Sequence, residues 1–239
     1  MTPPRRRVAV LAPMRPEEKA VVRAFGLRPV TDRGPFSHTG TAGEWWVGSL
    51  VTGMGPANGG DAARRALGGS PGGLDHVMVV GIAGGLDPGL PVGSLMVPAR
   101  VRLHPHGPEY ASHPLPARRA EGALMTTDGL FDDEGVWRAI LEQGFGAVDM
   151  EAAGVAQVCE EAGVPWSVYR GISDRPDQRI VDQEVFALSK PDGSADPVAL
   201  AKYLVCDPRR AKALAHLNRC MKLAASVAAE AAYADLCSR

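Results

Sequence analysis

The chain has 239 residues, with 26 basic and 27 acidic side chains and a formal charge of -1. That balance gives no global field for nucleic acid or an anionic membrane, so a small-molecule ligand is the better expectation. The length suits one sizeable core, and Cys159, Cys206, Cys220 and Cys237 lack C-x-x-C spacing or a nearby His, which argues against a disulfide framework or a zinc site.

Arg5-Arg6-Arg7 reads as a solvated lead-in to the run Val8 to Ala12, an apolar segment of strand length that suits a central parallel strand. Pro13 ends it, and Arg15 with two glutamates follows, so the N-terminus is neither a signal peptide nor a membrane span. Pro16-Glu17-Glu18 reads as the first turn of a helix running to about Phe25, with proline early and acids at the positive end. Gly26 to Gly43 is rich in turn formers. Trp45 to Val51 resembles a strand, and Gly53-Met54-Gly55-Pro56 leads into a helix through Leu67.

His76 to Val80 predicts another buried strand, ending in a glycine-rich turn from Gly81 to Leu86. In such a turn the backbone N–H groups of Gly81, Ile82 and Ala83 would be free to meet a ligand oxygen. The glycine spacing misses the dinucleotide fingerprint. Leu95 to Val101 and Ala123 to Thr127 give two further strands, and between them His104, His106 and His113 lie in a proline-rich stretch read as a surface loop, with no metal expected. Leu130-Phe131 is an apolar pair beside a turn, suited to packing or to walling a flat ring.

Val148 begins a short buried segment that stops on Asp149, Met150 and Glu151. After one helix length, marked by Val155, Ala156, Cys159 and Ala162 on one face, the segment Trp166 to Ile172 stops on Ser173-Asp174. A right-handed crossover between parallel strands would bring Glu151 and Asp174 to one ligand. The alternative is that Glu151 caps the helix and Asp174 starts a loop. Further on, a short helix around Val181 to Leu188, a breaker from Lys190 to Ser194, a helix restarting at Asp196-Pro197, and a long helix capped by Asp207-Pro208 are expected. Leu214, Leu217, Met221, Ala224, Ala225 and Ala228 stripe that helix and read as core or subunit contact.

In this order, the segments resemble the nucleoside phosphorylase and nucleosidase superfamily, particularly the methylthioadenosine/S-adenosylhomocysteine nucleosidase branch. The most specific pieces are Val148-Asp149-Met150-Glu151-Ala152-Ala153, Val164-Pro165 and Ile172-Ser173-Asp174, with weaker support from Gly53 to Asn58 and Gly81 to Leu86. The resemblance implies one three-layer α/β/α domain over residues 1–239 with a central, mostly parallel mixed sheet and a helical addition at about 190–239. It implies cleavage of a purine nucleoside without a cofactor by a homodimer or larger homo-oligomer, while the scattered cysteines of a chain this large point to a reduced cytoplasmic compartment.

By motif, Asp174 would protonate the purine at N7 with Ser173 orienting it, Glu151 would hold the ribose hydroxyls, and Glu17 would activate water. Met150 would pack on the sugar, Leu130 and Phe131 would line the base pocket, and Asp149, Gly81, Ile82 and Ala83 would border the substrate. The chemistry calls for such a set: one acid for the leaving base, one carboxylate for water, one grip on the sugar, as in inverting glycoside hydrolysis.

Three departures qualify the match. Ile82 stands where the branch keeps a serine, and Val79 and Ile82 occupy the places of the residues that hold phosphate in phosphorylases. Hydrolysis is therefore favoured over phosphorolysis, with Arg15 as a possible substitute anion ligand. The middle, Ala99 to Gly122 and Asp132 to Gly146, is short. The C-terminal addition resembles the hopanoid-associated phosphorylase/nucleosidase group, whose nucleoside carries a large apolar 5′ substituent. A non-catalytic nucleoside-binding protein is the alternative of another class.

Overall fold

The computed structural model describes residues 6–31, 34–130, 133–175 and 210–238, with 184, 188, 190, 196–198, 202 and 203 between them. Its first strand, β1 (Arg6–Ala12), runs parallel to both neighbours, β4 (Trp45–Val51) and β5 (His76–Gly85). The alternation of β1 sorts the core into two faces. Ala9 and Leu11 face α2 (Pro56–Gly68) and α4 (Ala152–Ala162), whereas Val8 and Val10 face α1 (Arg15–Phe25) and a long helix, α5 (Arg210–Cys237). Helices therefore cover both faces of a mostly parallel mixed sheet, a three-layer arrangement. Among the described residues no helix is long and apolar enough to cross a membrane.

The sheet departs from the sequence reading in four places. The turn-rich stretch Gly26 to Gly43 contains β2 (Arg28–Pro29) and β3 (His38–Ala42), which pair antiparallel and extend the sheet beyond β4. The strand expected over Leu95 to Val101 is split into β6 (Leu95–Met96) and β7 (Arg100–Leu103) around Pro98, which has no N–H for a ladder. β7 pairs with β8 (Glu109–Ala111) and β9 (Ala123–Thr126), and a nine-residue helix, α3 (Glu134–Glu142), fits within the short middle.

The third correction is the glycine-rich turn, which is no turn: β5 continues through Gly81 to Gly85. Glycine is needed there because other groups cross the strand closely. A Cβ at Gly81 would lie 2.2 Å from Glu17 Oε1 and 2.6 Å from Arg170 Nη1.

The fourth concerns the two acid-ended strands, β10 (Ala147–Asp149) and β11 (Trp166–Asp174), which are not parallel neighbours. β11 runs parallel along one edge of β5, while β10 meets Gly84 and Gly85 antiparallel. Because β1 releases β5 after Val79, the rest of that edge is open to β10. Glu151 and Asp174 thus approach from opposite sides of β5 rather than across a crossover. The expected breaker at Lys190 to Ser194 and the Asp207-Pro208 cap lie largely outside the described residues, as does most of the Val181 to Leu188 helix.

α5 lies close against β11, where a Cβ on Gly171 would fall 2.0 Å from the carbonyl oxygen of Ala224. Neither partner can yield, since both are backbone. Gly171→Ala is expected to destabilise the protein by about 1–3 kcal/mol, the range for overpacking, read as a lower urea midpoint with an unchanged slope.

Candidate active site

One cavity of about 210 Å³ opens where β5, β10 and β11 end and α1 begins. Asp174, Glu17, Glu151, Met150, Asp149, Ser173, Leu130, Ile82 and Ala83 all line it. Gly81 is not among the lining residues and lies instead against Glu17 and Arg170. Phe131 lies outside the described residues.

Each carboxylate is held by its own local structure. Glu17 is the third residue of α1; its Oε2 accepts the Met14 N–H at 2.8 Å, satisfying a donor at the helix start, and its Oε1 accepts the Ile82 N–H at 2.7 Å. The Ile82 N–H expected to be free for a ligand is therefore taken by Glu17. Glu151 precedes α4 at the N-cap, yet its side chain makes no cap bond. Asp149 takes that duty by accepting the Ala152 N–H at 3.0 Å, leaving Glu151 Oε1 to accept the Gly55 N–H at 3.2 Å. That donor is presented by a loop in which Gly53 and Gly55 have φ of 86° and 105°, angles that favour glycine.

Arg170, in the middle of β11, gathers them and is fully buried. Its Nε donates to Asp149 Oδ2 at 3.1 Å, and Nη2 donates to the same oxygen and to Glu151 Oε2, the latter at 3.1 Å. Nη1 lies 3.9 Å from Glu17 Oε1 and has no hydrogen-bond partner. Asp149 also accepts from Thr126 Oγ1 at 2.6 Å, so protein groups occupy both its oxygens. Its role is to position Arg170 and α4. Arg170 was not singled out in the sequence, though one arginine inside an apolar strand is a signal, because a buried charge must be paired.

Burial raises the Glu17 carboxyl to about 7, with Arg170 opposing. Burial likewise raises Glu151 to about 8, again against Arg170, while Asp149 and Glu17 add repulsion. Asp174 is raised by burial, opposed by the hydroxyl of Ser173, which donates to its Oδ1. Arg175 does not enter that balance, and its Nη1 donates to the Pro88 carbonyl at 2.9 Å. Arg15, expected as a substitute anion ligand, is exposed and is not among the described lining residues.

The other described walls are apolar apart from Thr127. Met14 and Met54 come from the loops after β1 and β4, Leu86 and Val148 flank the end of β5, and Trp137 and Ile140 come from α3. Leu217 and Met221 of α5 also line the cavity, so part of the stripe read as core or subunit contact faces the site. Among the described lining residues none is a lysine, arginine or histidine.

The phosphorylase superfamily model matches residues 7–107 and 107–191. A 5′-methylthioadenosine/S-adenosylhomocysteine nucleosidase of an Exiguobacterium species is 34% identical over 134 residues, covering 44% of this chain and 58% of that protein. The match thus spans less than two thirds of that relative's length. Two solved structures share the fold. One is the Neisseria meningitidis 5′-methylthioadenosine/S-adenosylhomocysteine nucleosidase in complex with methylthio-immucillin-A (TM-score 0.70, 20% identity, 98% of this chain and 100% of that one). The other is Helicobacter pylori futalosine hydrolase (TM-score 0.67, 17% identity, 96% and 97%).

The raised carboxyls link stability to pH. A carboxyl whose folded pKa exceeds its unfolded value holds a proton that the unfolded chain releases, so stability falls as pH rises between the two values. His76, lowered by burial from 6.5 to about 4, acts in the opposite sense up to pH 6.5. Between pH 6.5 and about 8, then, Glu17 and Glu151 set the slope. Urea unfolding of the ligand-free protein should show stability falling across that window, and Glu151→Gln should flatten the fall.

Proposed function

The chain belongs to the phosphorylase superfamily, and from that premise we propose that it is a hydrolytic nucleosidase acting on adenosine with an apolar 5′ substituent. The observation that carries this reading is three carboxylates, Glu17, Glu151 and Asp174, lining one cavity with no cationic side chain among its described walls. Phosphorolysis needs a site for an anion. Here the end that would hold it carries Glu17, Glu151 and Asp149 against one guanidinium, whose Nε and Nη2 are already taken by Asp149 and Glu151. A neutral nucleophile suits such a field, and water is the neutral choice.

In the proposed reaction Asp174 gives its proton to N7 of the base as the bond from the base nitrogen to C1′ breaks. Electrons of that bond go to the base, and positive charge develops on the ribose ring. Glu17 takes a proton from a water whose oxygen bonds to C1′, and Glu151 accepts hydrogen bonds from the sugar hydroxyls, with Met150 against the ring. Glu151 in its ionised form also stabilises the developing positive charge. Asp174 must be protonated to act, and burial keeps it so at higher pH than an exposed aspartate. Ser173 fixes its direction, bonded also to the Ala83 carbonyl at 3.3 Å.

Leu217 and Met221, with Met14 and Met54, give the apolar surface that suits an alkyl or thioether group. No metal or organic cofactor has a part in these steps. The proposal extends to a single cytoplasmic domain acting as a homodimer or larger homo-oligomer; the free thiols of Cys159 and Cys220 support the compartment.

Purified protein should release adenine from 5′-methylthioadenosine without phosphate, measured by product chromatography. Release only when phosphate is added would establish the phosphorylase reading instead, and nucleoside binding without release under either condition would leave a binding protein. Asp174→Asn should lower turnover by about 10²–10⁴-fold, the usual weight of a general acid, while calorimetry still detects nucleoside binding. Because Glu17 and Glu151 must both be ionised, kcat/KM of the parent should fall as pH drops below about 8.

A further inference from the structure

The geometry assigns a base-recognition role to Trp137, resting on the nucleosidase reading above. Among the described residues, α3 is the helix of the short middle that reaches the Asp174 end of the cavity. Asp133 fixes its start, accepting the Gly135 N–H at 2.7 Å. From there Trp137 and Ile140 fall on one face, three residues apart, and both line the cavity. Ile140 is anchored in a small core with Leu86, Met125 and Phe145, and Trp137 and Val148 pack against that core from its edge.

This edge is the side of the base-protonating acid. A Cβ at Gly84 would meet Val148 Cγ2 at 3.3 Å and Asp174 Oδ2 at 3.7 Å, so Val148 and Asp174 flank the same glycine. A ring placed to take a proton from Asp174 therefore lies over Gly84 and Val148, within the walls that Trp137 completes. Trp137 carries the one aromatic ring among the described lining residues. Its half-buried indole combines a helical position with a place in the cavity wall, which suits stacking on a planar base. The other described walls at this end, Leu86, Leu130 and Val148, are aliphatic and give contact without a π surface.

The same placement supplies a reporter. Trp45 and Trp46 begin β4, and Trp166 begins β11, at the strand ends opposite the cavity, with Trp166 bonded to Glu160 at 2.8 Å. Adenine, the product of the proposed reaction, is the probe. Its addition should quench the tryptophan fluorescence of the parent protein, and Trp137→Phe should lose the quench while calorimetry still records adenine binding. Trp137→Ala should raise the KM for 5′-methylthioadenosine by about 5–100-fold, the span that base–aromatic stacking gives on truncation, with kcat within about threefold, as removal of uniform binding predicts.

Trp137→Phe keeps an aromatic face and should restore most of the KM, which a purely structural role for the indole would not produce from a smaller ring. Quenching that persists in Trp137→Phe, or an unchanged KM in folded Trp137→Ala, overturns the assignment. Adenine binding to the parent with no change in fluorescence overturns it alone. Neither adenine binding nor nucleoside cleavage by the parent overturns the nucleosidase reading and this assignment together.

Discussion

A fully buried guanidinium must be surrounded by partners, because leaving it alone in the interior costs several kcal/mol even after relaxation. Arg170 meets that condition only if three separately folded pieces converge on it: the start of α1 with Glu17, the end of β10 with Asp149, and the residue before α4 with Glu151. The path of the chain around the cavity follows from this requirement. β5 must pass between Glu17 and Arg170 without a side chain, hence Gly81. α4 must begin without using Glu151 as its cap, hence the Asp149 bond to Ala152.

Three carboxyls around one cation also leave an imbalance, and burial resolves it by retaining a proton. Glu17 and Glu151 are pushed up while Arg170 pulls them down. A group poised near neutrality can take a proton from water and later give it up, which an exposed glutamate does less well. Asp174 stands apart from this cluster. Its pKa is raised by burial with no cation of the described residues among the causes, the condition for a donor rather than an acceptor. Separate environments thus give the carboxyls separate tasks, the general pattern by which one site runs acid and base chemistry together.

The parts of this arrangement that follow local rules were readable in the sequence. The apolar run from Val8 to Ala12, the proline and acids of the first turn of α1, and the acids after Val148 and Ile172 each carry a local signature, and each lies where an element begins or ends. What depended on tertiary packing was not readable. The glycines after Val80 look like a turn because nothing local says that Glu17 and Arg170 will cross a strand there. Ile82 suggested an exposed backbone donor, yet its N–H is bound by a residue 65 positions away. The stripe through Leu217 and Met221 is apolar whether it meets a core or a ligand, so its share in the cavity required the position of α5. Arg170 left the clearest unread signal, a charge with eight flanking positions of one buried strand to explain it.

The central claim is that the Arg170 cluster holds Glu17 and Glu151 with carboxyls well above the ordinary glutamate range. Carbon-13 NMR titration of the glutamate side-chain carboxyls in the ligand-free protein reads this directly. The account predicts two buried glutamate signals titrating as a coupled pair, one step near pH 7 and one near 8. Titration of every glutamate close to 4.5, the unshifted value, would contradict it.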